Sequence, residues 1–296
     1  MADIRCWSLP VIPFVKEMSF EYGKAQQVSP LIRRVVANNP GAFTYLGTGV
    51  YIIGQGEVAV IDPGPDDPVH LEAILAATEG ETISAILVTH THIDHSPLAR
   101  PLALRTGATV FGMPDASAGG GDEDHEGDFK PDVVIEDGQR ITGPGWTLQA
   151  IHTPGHVSNH VCYALEEENA LFSGDHIMGW STTVVSPPDG DMSDYYASLD
   201  KVAVRGFSTL WPTHGPPITD PAPFISAYRA HRQAREQQIL DALKSGPQTI
   251  AQMVPVLYAA VDSRLHPAAS RSMLACLIHL VRTGAVLADG AVYRLA

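Results

Sequence analysis

Residues 89–96 read Thr-His-Thr-His-Ile-Asp-His-Ser, and this octet decides how the rest of the chain is understood. His90, His92, Asp94 and His95 put four side chains of metal-binding type within six positions. The run before them, Ile83-Ser84-Ala85-Ile86-Leu87-Val88, is apolar and rich in β-branched residues, which predicts a buried strand. The stretch after them, Pro97 to Arg105, predicts the start of a helix. The histidines therefore belong to a loop at the carboxyl end of a strand, where open sheets place their chemistry. Two imidazoles two positions apart on extended backbone can grip one cation from the same side. Asp94 and His95, past the turn, are free to face a second. Imidazole nitrogen and carboxylate oxygen without thiolate suit Zn²⁺, and also Mn²⁺ or Fe²⁺.

Three later segments repeat the same grammar of short apolar run, turn and ligand-type side chain. Ala150-Ile151-His152-Thr153-Pro154-Gly155 leads to His156, Ala170-Leu171-Phe172-Ser173-Gly174 to Asp175, and Thr209-Leu210-Trp211-Pro212-Thr213 to His214. A fourth instance, Val58-Ala59-Val60-Ile61, ends on Asp62. Metal-bound histidines need an acceptor on their other ring nitrogen, and Asp62 is the candidate for that part.

Taken in order, these elements resemble the metallo-β-lactamase superfamily, whose signature His-x-His-x-Asp-His is followed by distal His, Asp and His. The resemblance implies an αββα sandwich with two metal ions at one edge, Zn²⁺ first, with Mn²⁺ and Fe²⁺ as alternatives. It also implies that His90, His92 and His156 hold one ion, that Asp94, His95 and His214 hold the other, and that Asp175 bridges them. Residues 39–51, 174–184 and 228–240 are similar to the lactamase-beta-like protein 2 branch, so the resemblance covers roughly residues 30–296.

The 296 residues allow one large domain and a small one. Prolines 212, 216, 217, 221 and 223 mark a boundary near residue 220, dividing a catalytic unit (1–220) from a C-terminal unit (221–296). In the latter, residues 222–244 predict a long helix, and Thr249 caps a short one. Pro267 to Thr283 predicts a third, and an Asp289-Gly290 turn a hairpin. That order is winged-helix-like, and the resembled branch carries a winged helix here. The third helix offers only Arg271 and Arg282, too few for a groove reader, so packing and dimer support is the expected role and a homodimer is compatible with it. The basic side of the long helix, Arg229, Arg232 and Arg235, is the better candidate for touching an anionic substrate.

Net charge is −14, which disfavours broad nucleic-acid binding. Residues 221–296 carry eight Lys/Arg against four Asp/Glu, which leaves −18 on the first 220. Part of that excess lies in Gly119 to Asp128, expected to be a solvated excursion rather than a lid. The cysteines, Cys6, Cys162 and Cys276, are few and scattered, so neither a disulfide framework nor a thiolate site is expected, and Cys162 falls in an apolar run. No apolar run is long enough to span a membrane, and Met1 to Cys6 lacks the pattern of a secretory signal; a cytoplasmic location is the expectation.

The expected chemistry is hydrolysis by a metal-bridging hydroxide, with Asp94 orienting it and passing a proton to the leaving group. His160, four residues after His156, and His176, beside Asp175, are candidates for substrate contact, each weighed against a structural hydrogen bond. Trp180 is a candidate pocket wall or core residue. The bond attacked stays open between ester, thioester, lactone and phosphodiester. The resembled branch includes single-strand endoribonucleases and polyketide thioesterases. The acidic catalytic part, and the lack of room for an inserted β-CASP-type domain, favour a small-molecule substrate over single-stranded RNA. A glyoxalase II-like basic tail is not evident either. From another class, mononuclear iron persulfide dioxygenases share the octet but leave the second site empty.

Overall fold

A computed structural model describes residues 10–114 and 129–296. Gly119 to Asp128 and Cys6 lie outside the described residues. The first sheet has seven strands in sequence order: β1 (Gln26–Gln27), β2 (Ile32–Val36), β3 (Gly49–Gln55), β4 (Glu57–Ile61), β5 (Thr82–Leu87), β6 (Thr109–Gly112) and β7 (Val133–Val134). The first four pair antiparallel. From β4 onward the pairing is parallel, because α1 (Pro68–Ala77) and α2 (Ala99–Thr106) carry the chain back between strands. The second sheet runs β12-β11-β10-β9-β8, formed by β8 (Arg140–Gly143), β9 (Trp146–His152), β10 (Val161–Leu165), β11 (Ala170–Gly174) and β12 (Thr209–Pro212). Its one parallel pair, β11 with β12, encloses α3 (Met192–Ala203).

Period-two alternation distributes the strand residues between layers. Tyr51, Ile53, Ala59, Ile61 and Leu87 point inward and meet Leu148, Ala150, Val161, Tyr163, Phe172 and Trp211 of the second sheet. Their neighbours Val50, Ile52, Val58, Val60 and Ile86 point outward and pack on Ile74 of α1 and Leu102 of α2. The other outer face, with Ile151, Cys162, Leu171 and Leu210, packs on Tyr195 and Leu199 of α3 and on α4 (Pro221–Leu243). Helix, sheet, sheet, helix is the expected sandwich.

Beyond α4 come β13 (Gln248–Thr249), α5 (Ile250–Leu257), α6 (His266–Arg282) and the hairpin β14 (Val286–Asp289) and β15 (Val292–Leu295). Thr249 caps α5 in a reciprocal box with Gln252, as its position before an apolar run predicts. β13 joins the hairpin as a third strand, completing a winged helix. Phe224 and Tyr228 of α4 share one apolar cluster with Ile151 of the sandwich and with Met273 and Leu277 of α6. No helix among the described residues is long and apolar enough to cross a membrane.

The basic side of α4 differs from the expectation. Arg232 is 5% exposed, Arg235 lies over the Tyr258 ring and donates to the Leu257 carbonyl, and Arg229 pairs with Asp200. Helix periodicity turns these guanidinium groups toward α3 and the winged helix, so they do not form an open anion-binding face.

Candidate metal centre

The carboxyl ends of β4, β5, β11 and β12 and the loop after β9 meet at one edge of the sandwich, and each delivers a ligand-type side chain there. Three groups of donors form: His90, His92 and His156; Asp94, His95 and His214; and His90, His95 and Asp175. His92 Nδ1 lies 2.8 Å from His90 Nε2 and 3.2 Å from His156 Nε2. Asp94 Oδ2 lies 3.1 Å from His214 Nε2 and 3.5 Å from His95 Nε2. Asp175 stands between the groups, Oδ1 at 3.4 Å from His214 Nε2 and Oδ2 at 3.9 Å from His156 Nε2. The structure thus brings together all seven residues that the sequence singles out.

The outer nitrogens of the imidazoles decide what the inner ones offer. His156 Nδ1 bonds the Val184 carbonyl at 2.6 Å, and His214 Nδ1 the Gly47 carbonyl at 3.2 Å. His95 Nδ1 bonds Asp62 at 2.9 Å. Thr89 gives its hydroxyl proton to Asp62 at 2.7 Å, so it accepts from His90 Nδ1 at 3.0 Å. Each outer partner is an acceptor, so each Nδ1 carries a proton, and whenever the ring is neutral its Nε2 turns a lone pair inward. Lone pairs facing one another and two carboxylates repel unless a cation lies among them. His95 Nε2 and Asp175 Oδ1 are buried with no hydrogen-bond partner among the described residues. The donor set fits one or more divalent ions of the nitrogen- and oxygen-preferring kind.

In the metal-free chain the carboxylates draw protons onto the rings of the second group instead. Burial alone would keep His95 neutral, yet Asp94, Asp62 and Asp175 push its pKa up to about 10. Burial raises the Asp94 carboxyl, but the charge of His95 and the hydrogen bond from His214 outweigh it and hold it well below the usual carboxylate range. His90 is driven the other way, by burial and then by His95, His92 and His156. At the mouth, the Asp94 side chain is 21% exposed, against 0% for His95 and 1% for His214. Asp94, like the partly buried His92, is therefore a ligand-type group open to whatever enters.

Backbone geometry places these groups. Asp62 adopts φ +49°, and its carboxylate also accepts from the Thr89 amide at 2.7 Å and from Thr213 at 3.0 Å. One side chain thus ties the ends of β4, β5 and β12. Gly174 adopts φ +51° at the end of β11, where a Cβ would lie 2.5 Å from His160 Nε2.

Two candidates for substrate contact are corrected. His160 is 0% exposed; its Nε2 accepts from the Asp175 amide at 3.1 Å, which leaves the proton on Nδ1 to bond Thr153 at 2.9 Å. With both nitrogens engaged in the core, His160 holds Asp175 and does not reach the opening. His176 is also 0% exposed, with its ring 5.0 Å from that of Tyr195. Burial pushes its pKa down to about 3. Trp180 stacks on Tyr45 at 4.6 Å and packs against Gly215, beside His214. Sequence reasoning passes over Thr89, Thr213 and Thr183. Threonine carries no distinctive spacing, and only the folded chain shows these hydroxyls bonded to Asp62 or to the Asp175 carbonyl.

Comparison with known proteins points the same way. Residues 45–214 match the Metallo-beta-lactamase superfamily, and residues 249–294 match the Beta-lactamase associated winged helix domain. An atrochrysone carboxyl ACP thioesterase of Aspergillus chevalieri is 34% identical over 81% of this chain and 75% of its own. A metallo-beta-lactamase family protein from Thermus thermophilus superposes with a TM-score of 0.76 at 24% identity, covering 91% of this chain and 100% of the other. A protein solved in a di-iron-bound form superposes with a TM-score of 0.51 at 28% identity, covering 65% of this chain and 96% of the other.

Proposed function

For a chain that belongs to the metallo-β-lactamase superfamily and is a hydrolase of that superfamily, we propose binuclear, metal-dependent hydrolysis of a small-molecule acyl thioester. The observation that carries the reading is the set of inward-facing Nε2 atoms on His90, His95, His156 and His214, whose Nδ1 atoms each meet an oxygen acceptor. His90, His92 and His156 would hold one ion, Asp94, His95 and His214 the second, and Asp175 both. Zn²⁺ suits these donors, as do Mn²⁺ and Fe²⁺. When bound, such a pair supplies an ionised water near neutral pH and a sink for charge on the attacked carbonyl oxygen.

The chain's own residues do the rest. Asp62, Thr89, Gly47 and Val184 hold a proton on each Nδ1, so each ring, once neutral, presents Nε2 to an ion. Asp94 faces the opening, orients the attacking water by accepting a hydrogen bond from it, and passes the proton that water releases to the leaving sulfur. Water and thioester thereby give a carboxylic acid and a thiol. His160 steadies the Asp175 backbone. The same reading divides the chain into a catalytic unit over 1–220 and a winged-helix unit over 221–296. The thioester is favoured among bond types because the Aspergillus relative is named a thioesterase. The RNA alternative loses the anion-binding face of α4: Arg232 is buried, Arg235 is bonded to the Leu257 carbonyl, and Arg229 is paired at the surface with Asp200. The mononuclear iron alternative leaves unexplained why His95 and His214 share the tautomer arrangement of the first group.

The test is thiol release from a panel of acyl thioesters, run beside esters, lactones and phosphodiesters, with His92→Ala and Asp175→Ala as controls. Thioester turnover that disappears in both variants, with metal content reduced and the C-terminal unit still folded, is the expected result. Full activity in either variant refutes the site. Turnover confined to another bond class refutes the substrate.

A further inference from the structure

One short stretch of chain, residues 181–184, braces the centre from outside the sandwich, and α4 braces that stretch. His156 donates from Nδ1 to the Val184 carbonyl. Thr183, one residue earlier, is tied at every polar atom. Its amide donates to the Tyr228 hydroxyl at 2.7 Å, and its own hydroxyl bonds the Asp175 and His176 carbonyls at 2.7 and 3.0 Å. Its carbonyl accepts from the Arg232 guanidinium. The Tyr228 hydroxyl donates a hydrogen bond to the Ser181 carbonyl at 2.9 Å.

Arg232 is a costly way to hold one carbonyl. It is buried, forms no ion pair among the described residues, and lies 5.2 Å from the ring centre of Tyr195 and 6.0 Å from that of Tyr228. Its Nε has no partner among the described residues. A buried guanidinium that feels the Glu236 carboxyl only at a distance, with no carboxylate in ion-pair contact, contributes little to stability alone. What it does achieve is to fix the peptide immediately before the Val184 carbonyl, the acceptor that sets the tautomer and direction of His156.

We propose that Tyr228 and Arg232 are positioning residues of the metal centre. Through residues 181–184 they orient His156 and the backbone of Asp175. α4 is then part of the site's machinery, and not only a connection to the winged helix. The proposal rests on His156 being a metal ligand.

Zn²⁺ affinity, measured on the whole chain by competition with a chromophoric chelator, tests it. The variants are Tyr228→Phe, Arg232→Met, Arg232→Lys and His156→Ala. Ile239→Ala serves as a control, since Ile239 is buried on α4 and none of the bonds above involves it. Outer partners of metal-bound histidines typically contribute about 10–100-fold in affinity, and Tyr228 and Arg232 act one step beyond such a partner, so Tyr228→Phe and Arg232→Met should bind Zn²⁺ weaker by about the lower end of that range, roughly tenfold. Arg232→Lys, which keeps the charge and a donor, should recover part of the loss. Ile239→Ala should lower the unfolding midpoint and leave affinity unchanged. Affinity within about twofold of wild type in Tyr228→Phe and Arg232→Met overturns the proposal, as does an equal loss in Ile239→Ala. If His156→Ala weakens binding while the α4 variants do not, this inference alone falls. Unchanged affinity in His156→Ala removes the metal-centre reading and the inference with it.

Discussion

Asp62→Asn separates the arrangement of the centre from its composition, because Asp62 touches no metal-facing atom and yet decides where one proton sits. Four hydrogen bonds reach its carboxylate: the Thr89 amide on Oδ1, and the Thr89 hydroxyl, the Thr213 hydroxyl and His95 Nδ1 on Oδ2. Asparagine keeps an oxygen for the amide and puts an NH₂ where Oδ2 stood. The two hydroxyls can rotate and accept, but the ring cannot. His95 must offer Nδ1 as a lone pair, which moves its proton to Nε2, the atom that faces Asp94 and Asp175. The backbone adds little, since asparagine tolerates φ +49° better than most residues. Metal affinity should fall by about 10–100-fold, on the order of 1.4–2.7 kcal/mol. Losing charge-assisted bonds should cost the metal-free chain roughly 2–4 kcal/mol of stability, less than the sum of its parts because the hydroxyls readjust. Asp62→Ala should cost more, as it orphans the Thr89 amide and puts an unsuited residue at positive φ. Chelator competition gives the first quantity and urea unfolding of the metal-free protein the second. Wild-type affinity in Asp62→Asn would refute the argument that outer acceptors set the inner lone pairs.

Two further expectations concern stability. Gly174→Ala should destabilise the chain by about 2–4 kcal/mol in urea unfolding, because the new methyl meets His160 Nε2 at 2.5 Å and φ is +51°. A wild-type midpoint would show that His160 yields without cost. Glu236, on α4, has its carboxyl pushed up to about 7 by burial, against the opposing effects of Tyr196 and Arg232. The folded chain therefore keeps a proton that the unfolded chain gives up above about pH 4.3, so stability falls as pH rises through that window and levels off above about pH 7. Glu236→Gln should remove a drop of roughly 1–3 kcal/mol between about pH 5 and about pH 8. The check is the difference in unfolding free energy between variant and wild type at the two pH values, and a constant difference would show that Glu236 ionises normally.

Much of this site is legible in the sequence because each ligand-type residue directly follows an apolar strand on a turn. The strand then fixes where the side chain emerges, with little help from the rest of the fold. The same holds for α5, whose Thr249 and Gln252 signal its start locally. Arg232 is not legible in that way. A run of arginines on a long helix resembles a solvated face, and only the packing of α3 and α6 against α4 turns one of them inward. His160 and His176 mislead for a related reason. Proximity in sequence to His156 and Asp175 does not say which side of a strand end a ring occupies, and both rings point into the core. β13, two residues long, has no periodicity to find and exists because β15 offers it an edge.

The central claim is that the edge of this sandwich holds two divalent ions. Elemental analysis of the purified chain, repeated on Asp94→Ala and His156→Ala, tests it most directly. The account predicts about two metal ions per chain in the wild type, with each substitution reducing the content by impairing a different one of the two sites. A single iron per chain that survives Asp94→Ala, with oxygen consumed on a persulfide, would contradict it.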